Sequence, residues 1–225
     1  MPQRNPNTAH DLTRRVTKII ALLQTAYPTA RTALQYKTPL QLLVATMLSA
    51  QCTDKKVNEI TPALFAKYKT AADFAAAKPE ELEQEIRQTG FFRMKAKNII
   101  AAAKKIVADF NGEVPDTMAG LLTLPGVARK TANIVLSSAF KKAEGIAVDV
   151  HVARLAGRMG LSSQKNPEKI EQDLMSCVPR KDWIAFNYMM VDHGRNICTA
   201  RKPKCSACVV RSLCPSAESF GKPSS

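Results

Sequence analysis

The sequence is short of glycine, with 9 in 225 residues, and of aromatic side chains, at 6%. Strands and tight hairpins draw on those residues and on apolar-polar alternation, whereas the apolar positions here recur at helical spacing, which excludes a sheet protein. No apolar run reaches the roughly 20 residues of a membrane helix. The longest, Leu42 to Ala50, is broken by Thr46 and Ser49. The opening MPQRNPNTAH has no apolar stretch and reads as neither a secretory signal nor a good transit peptide, so the expectation is a cytoplasmic, nucleoid-associated protein with no membrane contact. Acidic residues are few as well. Against 33 Lys and Arg there are 19 Asp and Glu, a net charge of +14 that concentrates polyanions, chiefly nucleic acid, around the chain.

Hydrophobic residues at 45% and charged residues at 23% are ordinary globular usage, and the length suits one large domain or two small ones. Leu12, Val16, Ile19 and Leu23 form one helical stripe, and Leu42 to Ala50, apolar on nearly all sides, predicts a helix in the middle of a bundle. Thr61-Pro62 and Pro79-Glu80-Glu81 read as helix starts and Gly90 as a stop. Ile99, Ala103, Ile106 and Phe110 mark the inner face of the next helix, which a turn at Asn111-Gly112 ends. Trp183 to Val191 predicts a further helix, closed by Gly194. No repeat or low-complexity segment stands out, and only residues 1 to about 9 and about 217 to 225 read as disordered.

Four of the six cysteines crowd into the C-terminal part, where Cys198, Cys205, Cys208 and Cys214 are spaced C-x6-C-x2-C-x5-C. Four soft ligands in one short loop can surround a single centre. A [4Fe-4S] cluster, a four-thiolate zinc site and two disulfides are the alternatives. A reducing compartment disfavours disulfides, and zinc sites more often use two close pairs where only Cys205 and Cys208 make one, so the spacing favours the cluster. Fully ligated by cysteine, it leaves no open iron and is expected to shape the loop rather than do chemistry. Arg201, Lys202 and Lys204 then sit on a tethered turn within reach of backbone phosphates, although a solvated charge run is the plainer use of the same residues. Cys52 and Cys177 read as buried packing.

LLTLPGVARKTANIVLSSAF reads as a helix ending near Leu122, a tight turn at Pro125-Gly126-Val127 and a second helix from about Ala128 to Phe140, which is a helix-hairpin-helix. The expected phosphate cradle is the run of amides Gly126, Val127 and Ala128 at the positive end of the second helix. An ordinary helix connection would look similar. Lys130 falls in the first turn of that helix, where the dipole and the neighbouring Arg129 both disfavour an ammonium, and a neutral lysine amine is a nucleophile that forms Schiff bases. A solvated surface lysine is the competing use. Asp149 precedes a stripe of Val152, Leu155, Ala156 and Met159 and reads as the N-cap of that helix, a rigid carboxylate able to assist Lys130 or to stabilise charge at a sugar C1′.

With MLSAQCTD, TGFFRMKAKNI, NGEVP, LPGVARKTAN, AVDVH, HGRNIC and the four-cysteine loop in colinear order over residues 11 to 216, the sequence resembles the endonuclease III family of helix-hairpin-helix DNA glycosylase/AP lyases. The resemblance implies an all-α fold of two helical domains with a DNA cleft between them: a barrel domain over 32–142 that contains the hairpin, and a cluster domain from 1–31 plus 143–225. It also implies a monomeric base-excision repair enzyme that flips oxidised or ring-saturated pyrimidines out of double-stranded DNA, removes them through a lysine Schiff base and cuts the resulting abasic site by β-elimination. By family position Lys130 is the catalytic lysine and Asp149 the catalytic aspartate. Gln51, Phe91 and His151 would enter the duplex, Phe91 as the stacking wedge with Phe92 left to the core. Two other functions compete: a monofunctional glycosylase, which in the related mismatch enzyme lacks this lysine, and a catalytically silent DNA-binding module. The pattern departs from the family at Ala128, where a second hairpin glycine is usual, at Val150, commonly threonine, at Phe91, commonly leucine, and in a loop Lys141 to Gly145 one residue longer.

Overall fold

The structure is a computed structural model that describes residues 9–220. Its helices run α1 (Ala9–Ala26), α2 (Pro39–Leu48), α3 (Asp54–Lys67), α4 (Ala71–Ala75), α5 (Pro79–Ile86) and α6 (Phe92–Asp109). They continue as α7 (Met118–Leu122), α8 (Arg129–Ala139), α9 (Val150–Arg158), α10 (Pro167–Cys177), α11 (Trp183–Asn196) and α12 (Ala217–Phe220). Short 3₁₀ turns at Arg87–Thr89, Arg180–Asp182, Cys205–Ala207 and Arg211–Leu213 complete the all-α architecture, with no strand among the described residues. The chain divides into two compact units, one of Thr32–Glu144 and one of Met1–Arg31 with Gly145–Ser225. No described helix is long and apolar enough to cross a membrane.

The Thr32–Glu144 unit is built around α2, whose residues Leu42 to Leu48 are all buried. Thr38 caps α2 by accepting the Gln41 amide at 3.2 Å, and Pro39 occupies the first helical position, where its missing N–H costs nothing. Leu42, Leu48, Val57, Phe74, Ile86, Ile99, Ile106, Leu121 and Leu136 bring every helix of this unit onto one core. Thr61-Pro62 is not a helix start. Thr53 begins α3 eight residues earlier by accepting the Lys56 amide at 3.2 Å. The buried i, i+4, i+7 face of Val57, Thr61 and Leu64 carries the helix past Pro62, which faces solvent.

The other unit packs α1 on α10 and α11, and α9 on α10 and α11. Val16, Ile19, Leu23, Leu155, Leu174, Phe186 and Met190 form its interior. Gly194 does not close α11, which continues to Asn196. A Cβ there would stand 3.0 Å from the His151 Cβ and 3.1 Å from Arg154 Nη2, so this glycine lets α9 approach and is no stop signal. The expected disorder from residue 217 gives way to α12: Ala217 is buried, and the Phe220 ring lies 4.5 Å under the Arg158 guanidinium. The rest of that expectation, residues 1–8 and 221–225, falls outside the described residues.

Candidate functional site

The hairpin is α7, a turn and α8. Gly126 sits at φ +76°, and a Cβ on it would lie 2.8 Å from the Asn98 Cβ of α6, so the turn is pressed against that helix where no side chain fits. The expected three-amide cradle is corrected at Val127. Its N–H donates to the Leu124 carbonyl at 3.1 Å and its side chain is buried. Gly126 and Ala128 have no backbone acceptor among the described residues and are the amides left for an outside anion. Ala128 is the N-cap of α8 with ordinary extended dihedrals, φ −94° and ψ 169°. Lys130, second residue of α8, is exposed one half-turn beyond that cap.

In the same unit Gln51 and Phe91 share an unusual backbone. Both adopt left-handed φ, 53° and 47°, and both are exposed, Phe91 at 64%. Strain of this kind in residues with a Cβ persists only where the surroundings enforce it, and it clusters at working sites. Phe92 is half-buried against the core beneath the Arg93 guanidinium, so the aromatic pair points one ring out and one in. Cys52 is half-buried and Cys177 buried, the latter's thiol pushed up by burial.

In the second unit Asp149 caps α9. A single oxygen, Oδ1, accepts the amides of His151 and Val152, each at 2.8 Å, which leaves Oδ2 uncommitted to the cap. Val150 is 74% exposed beside it. His151 is half-buried, with its Nδ1 3.1 Å from Arg154 Nη2.

Cys198, Cys205, Cys208 and Cys214 line one pocket, and all six cysteines are free. Burial pushes the Cys208 thiol up, and the other three ligands raise it further. Cys214 is likewise pushed up, by burial first and then by Cys198 and Cys205, against a smaller opposing effect of Arg15. Thiolates crowded this way are favoured when a cationic centre takes up their charge, and four soft sulfur donors in one pocket are a donor set for iron. The four thiols that line this pocket are the residues that would hold a cysteine-ligated metal group. His193 is fully buried beside it, and burial holds its pKa down to about 4, so the ring is neutral. Nδ1 takes the Tyr27 hydroxyl at 3.0 Å while Nε2 faces Cys208 Sγ at 3.3 Å, an arrangement that suits an N–H donated to a thiolate.

Sequence reasoning missed the arginines that hold this loop. Arg154 Nε donates to the Cys198 carbonyl at 3.1 Å and Nη2 to the Gly194 carbonyl at 2.9 Å. Arg158 reaches Cys198 Sγ at 3.3 Å and the Thr199 and Ala200 carbonyls at 2.7 Å each. Arg15 of α1 grips the Met159 and Leu213 carbonyls at 2.6 and 2.9 Å. The four-residue spacing of Arg154 and Arg158 on α9 was the available signal. With backbone bonded by these three, Arg201, Lys202 and Lys204 remain exposed on the outside of the loop.

Residues 44–180 match the family model of the HhH-GPD superfamily base excision DNA repair proteins, and residues 198–214 match the iron-sulfur binding domain of endonuclease III. The chain is 53% identical over 205 residues to endonuclease III of Synechocystis sp., covering 91% of this chain and 94% of that one. It is 38% identical over 197 residues to the Escherichia coli K12 enzyme, covering 88% and 93%. A trapped endonuclease III-DNA covalent intermediate superposes with a TM-score of 0.88 at 38% identity over 93% of this chain and 99% of the other, and a non-covalent endonuclease III-DNA complex with 0.87 over 92% and 97%. The chain therefore belongs to the endonuclease III family of the HhH-GPD superfamily, as a bifunctional DNA glycosylase and AP lyase of base excision repair that carries a [4Fe-4S] cluster.

Proposed function

We propose that Lys130 is the nucleophile that displaces an oxidised or ring-saturated pyrimidine from double-stranded DNA and holds the sugar as a Schiff base. Asp149 is its carboxylate partner. The observation that carries this reading is the hairpin itself: an exposed amine two residues beyond an outward cradle, Gly126 and Ala128, that can fix the phosphate of the nucleotide being attacked. The amine attacks C1′, the C1′–N bond breaks, and the departing base takes the electron pair and a proton; the attached nitrogen, having lost a proton, then forms a double bond to C1′ as the C1′–O4′ bond breaks and O4′ takes a proton, which opens the sugar to the imine. Loss of the 2′ proton from the imine then expels the 3′ phosphate, which cuts the strand.

In this reading Gln51, Phe91 and His151 fill the space of the flipped nucleotide, and Arg201, Lys202 and Lys204 grip backbone phosphates from the cluster loop. Cys198, Cys205, Cys208 and Cys214 hold the cluster, which supplies a rigid cross-link there. The protein acts as a monomer in the nucleoid, on damaged pyrimidines and on abasic sites. Borohydride trapping on a thymine-glycol duplex is the test. Wild type forms a covalent complex, whereas Lys130→Gln loses trapping and strand cleavage by about 10³-fold or more and keeps its affinity for duplex within about threefold. Trapping that survives in Lys130→Gln overturns the assignment.

A further inference from the structure

Lys95 lies at the start of α6 and is 6% exposed, an unusual place for a lysine. Its backbone N–H donates to the Phe91 carbonyl at 3.0 Å, and its side chain runs back along the helix, as helical side chains do. Nζ donates to the Leu48 carbonyl at 2.7 Å and to the Thr89 carbonyl at 2.8 Å. Leu48 ends α2 and Thr89 ends the 3₁₀ turn before α6. Both carbonyls thus lie at the negative end of a helical segment, where an ammonium is favoured. Beyond each of them the chain enters a left-handed kink, at Gln51 on one side and at Gly90 and Phe91 on the other.

Burial pushes the Lys95 ammonium below its ordinary range, against a smaller opposing effect of Cys52. A buried charge paired only with neutral carbonyls is seldom the most stable filling for such a space, so stability alone does not account for it. What the charge does provide is a single buried donor shared by two turns that also bond within themselves, as by Cys52 N–H to the Ser49 carbonyl at 3.1 Å and Thr89 Oγ1 to the Ile86 carbonyl at 2.8 Å, whereas the nearby Lys56 Nζ contact to Gln88 Oε1 at 3.4 Å is exposed.

We propose that Lys95 is a positioning residue for duplex opening, bolting the Gln51 turn to the Phe91 turn so that the two side chains enter the helix as one rigid pair. The proposal rests on the reading of Gln51 and Phe91 as the inserted residues. A wedge repays unstacking only when its own freedom has been removed beforehand, and one ammonium fixes both arms at once.

The test compares a duplex carrying thymine glycol beside 2-aminopurine, whose fluorescence reports unstacking, with a single strand carrying an abasic site, which needs no opening. For the holoenzyme with Lys95→Met, the fluorescence rise is lost and single-turnover excision from duplex falls about 10²-fold, while cleavage of the single strand stays within about threefold. In a Phe91→Ala background the same substitution adds almost nothing, because its effect passes through the wedge. Unchanged opening in Lys95→Met, or equal loss on both substrates, overturns the clamp. If Phe91→Ala and Gln51→Ala leave the fluorescence rise intact, the wedge reading fails first. Should Lys95→Met not accumulate folded, Lys95→Gln, which keeps N–H donors without the charge, carries the same comparison.

Discussion

Asp149 is a helix cap whose proposed catalytic role can be tested separately from the cap. Its Oδ1 satisfies two amides of α9 while Oδ2 takes no part in the cap, so the two can be separated by substitution. Asparagine caps helices as well as aspartate does but carries no charge, whereas alanine loses both functions. Asp149→Asn is expected to melt within about 2 °C of wild type, and Asp149→Ala to lose about 1 kcal/mol, or roughly 2–4 °C for a chain of this size. Both should lower single-turnover excision by about 10²-fold or more, the scale of a lost acid-base group. If Asp149→Asn excises normally while Asp149→Ala is merely less stable, the residue is a cap and nothing else. The residues that escape a reading of sequence are those whose partners are remote. Lys95 in a helix reads as solvated until the carbonyls of Leu48 and Thr89 are seen around it. Arg15, likewise, bonds a carbonyl 198 positions away.

At the scale of elements, what was legible is what is local. The cluster ligands lie within residues 198–214 and announce themselves by spacing, and the hairpin by one Pro-Gly turn between two apolar stripes. Gly194 and Thr61-Pro62 mislead because glycine and proline read as punctuation of their own helix. Packing decides instead: α9 leans on Gly194, and a buried face carries α3 through Pro62. The hairpin's two small residues separate by the same logic. Gly126 is held left-handed against Asn98, so Gly126→Ala suffers backbone strain of about 1–2 kcal/mol in addition to the overlap and should weaken duplex binding about tenfold through a displaced cradle. Ala128 has dihedrals open to any residue and is exposed, so Ala128→Gly, which brings back the family's second glycine, should shift stability by no more than about 0.5 kcal/mol and affinity by less than about twofold. Thermal melting and duplex titration check both. An affinity gain of about tenfold in Ala128→Gly would mean that its Cβ obstructs the cradle.

For the whole molecule the question is whether +14 acts as a total or through its placement. Part of the basic inventory already has partners within the chain: Arg15, Arg154 and Arg158 bond backbone carbonyls of the cluster unit, Lys95 is buried, and Lys56, Lys67 and Lys142 pair with carboxylates at the surface. Arg201, Lys202 and Lys204 differ in being exposed on a loop held from behind by three arginines, with no acidic residue between His193 and Ala217 to draw them aside. Tethered charge loses little freedom on meeting a phosphate, so it should contribute more than the same charge on a free helix surface. Two triple variants of equal net charge decide the matter: Arg201, Lys202 and Lys204 to alanine, and the exposed Lys104, Lys165 and Lys169 to alanine. Every phosphate deprived of its cation lowers the slope of log K against log salt by about 0.9, so the loop triple should flatten the slope by nearly 3 and weaken duplex binding by about 10²-fold or more at moderate salt. The other triple should keep the wild-type slope within about 0.5. Equal losses in both would show that charge acts here only as a diffuse field, and the loop would then have no special part in docking.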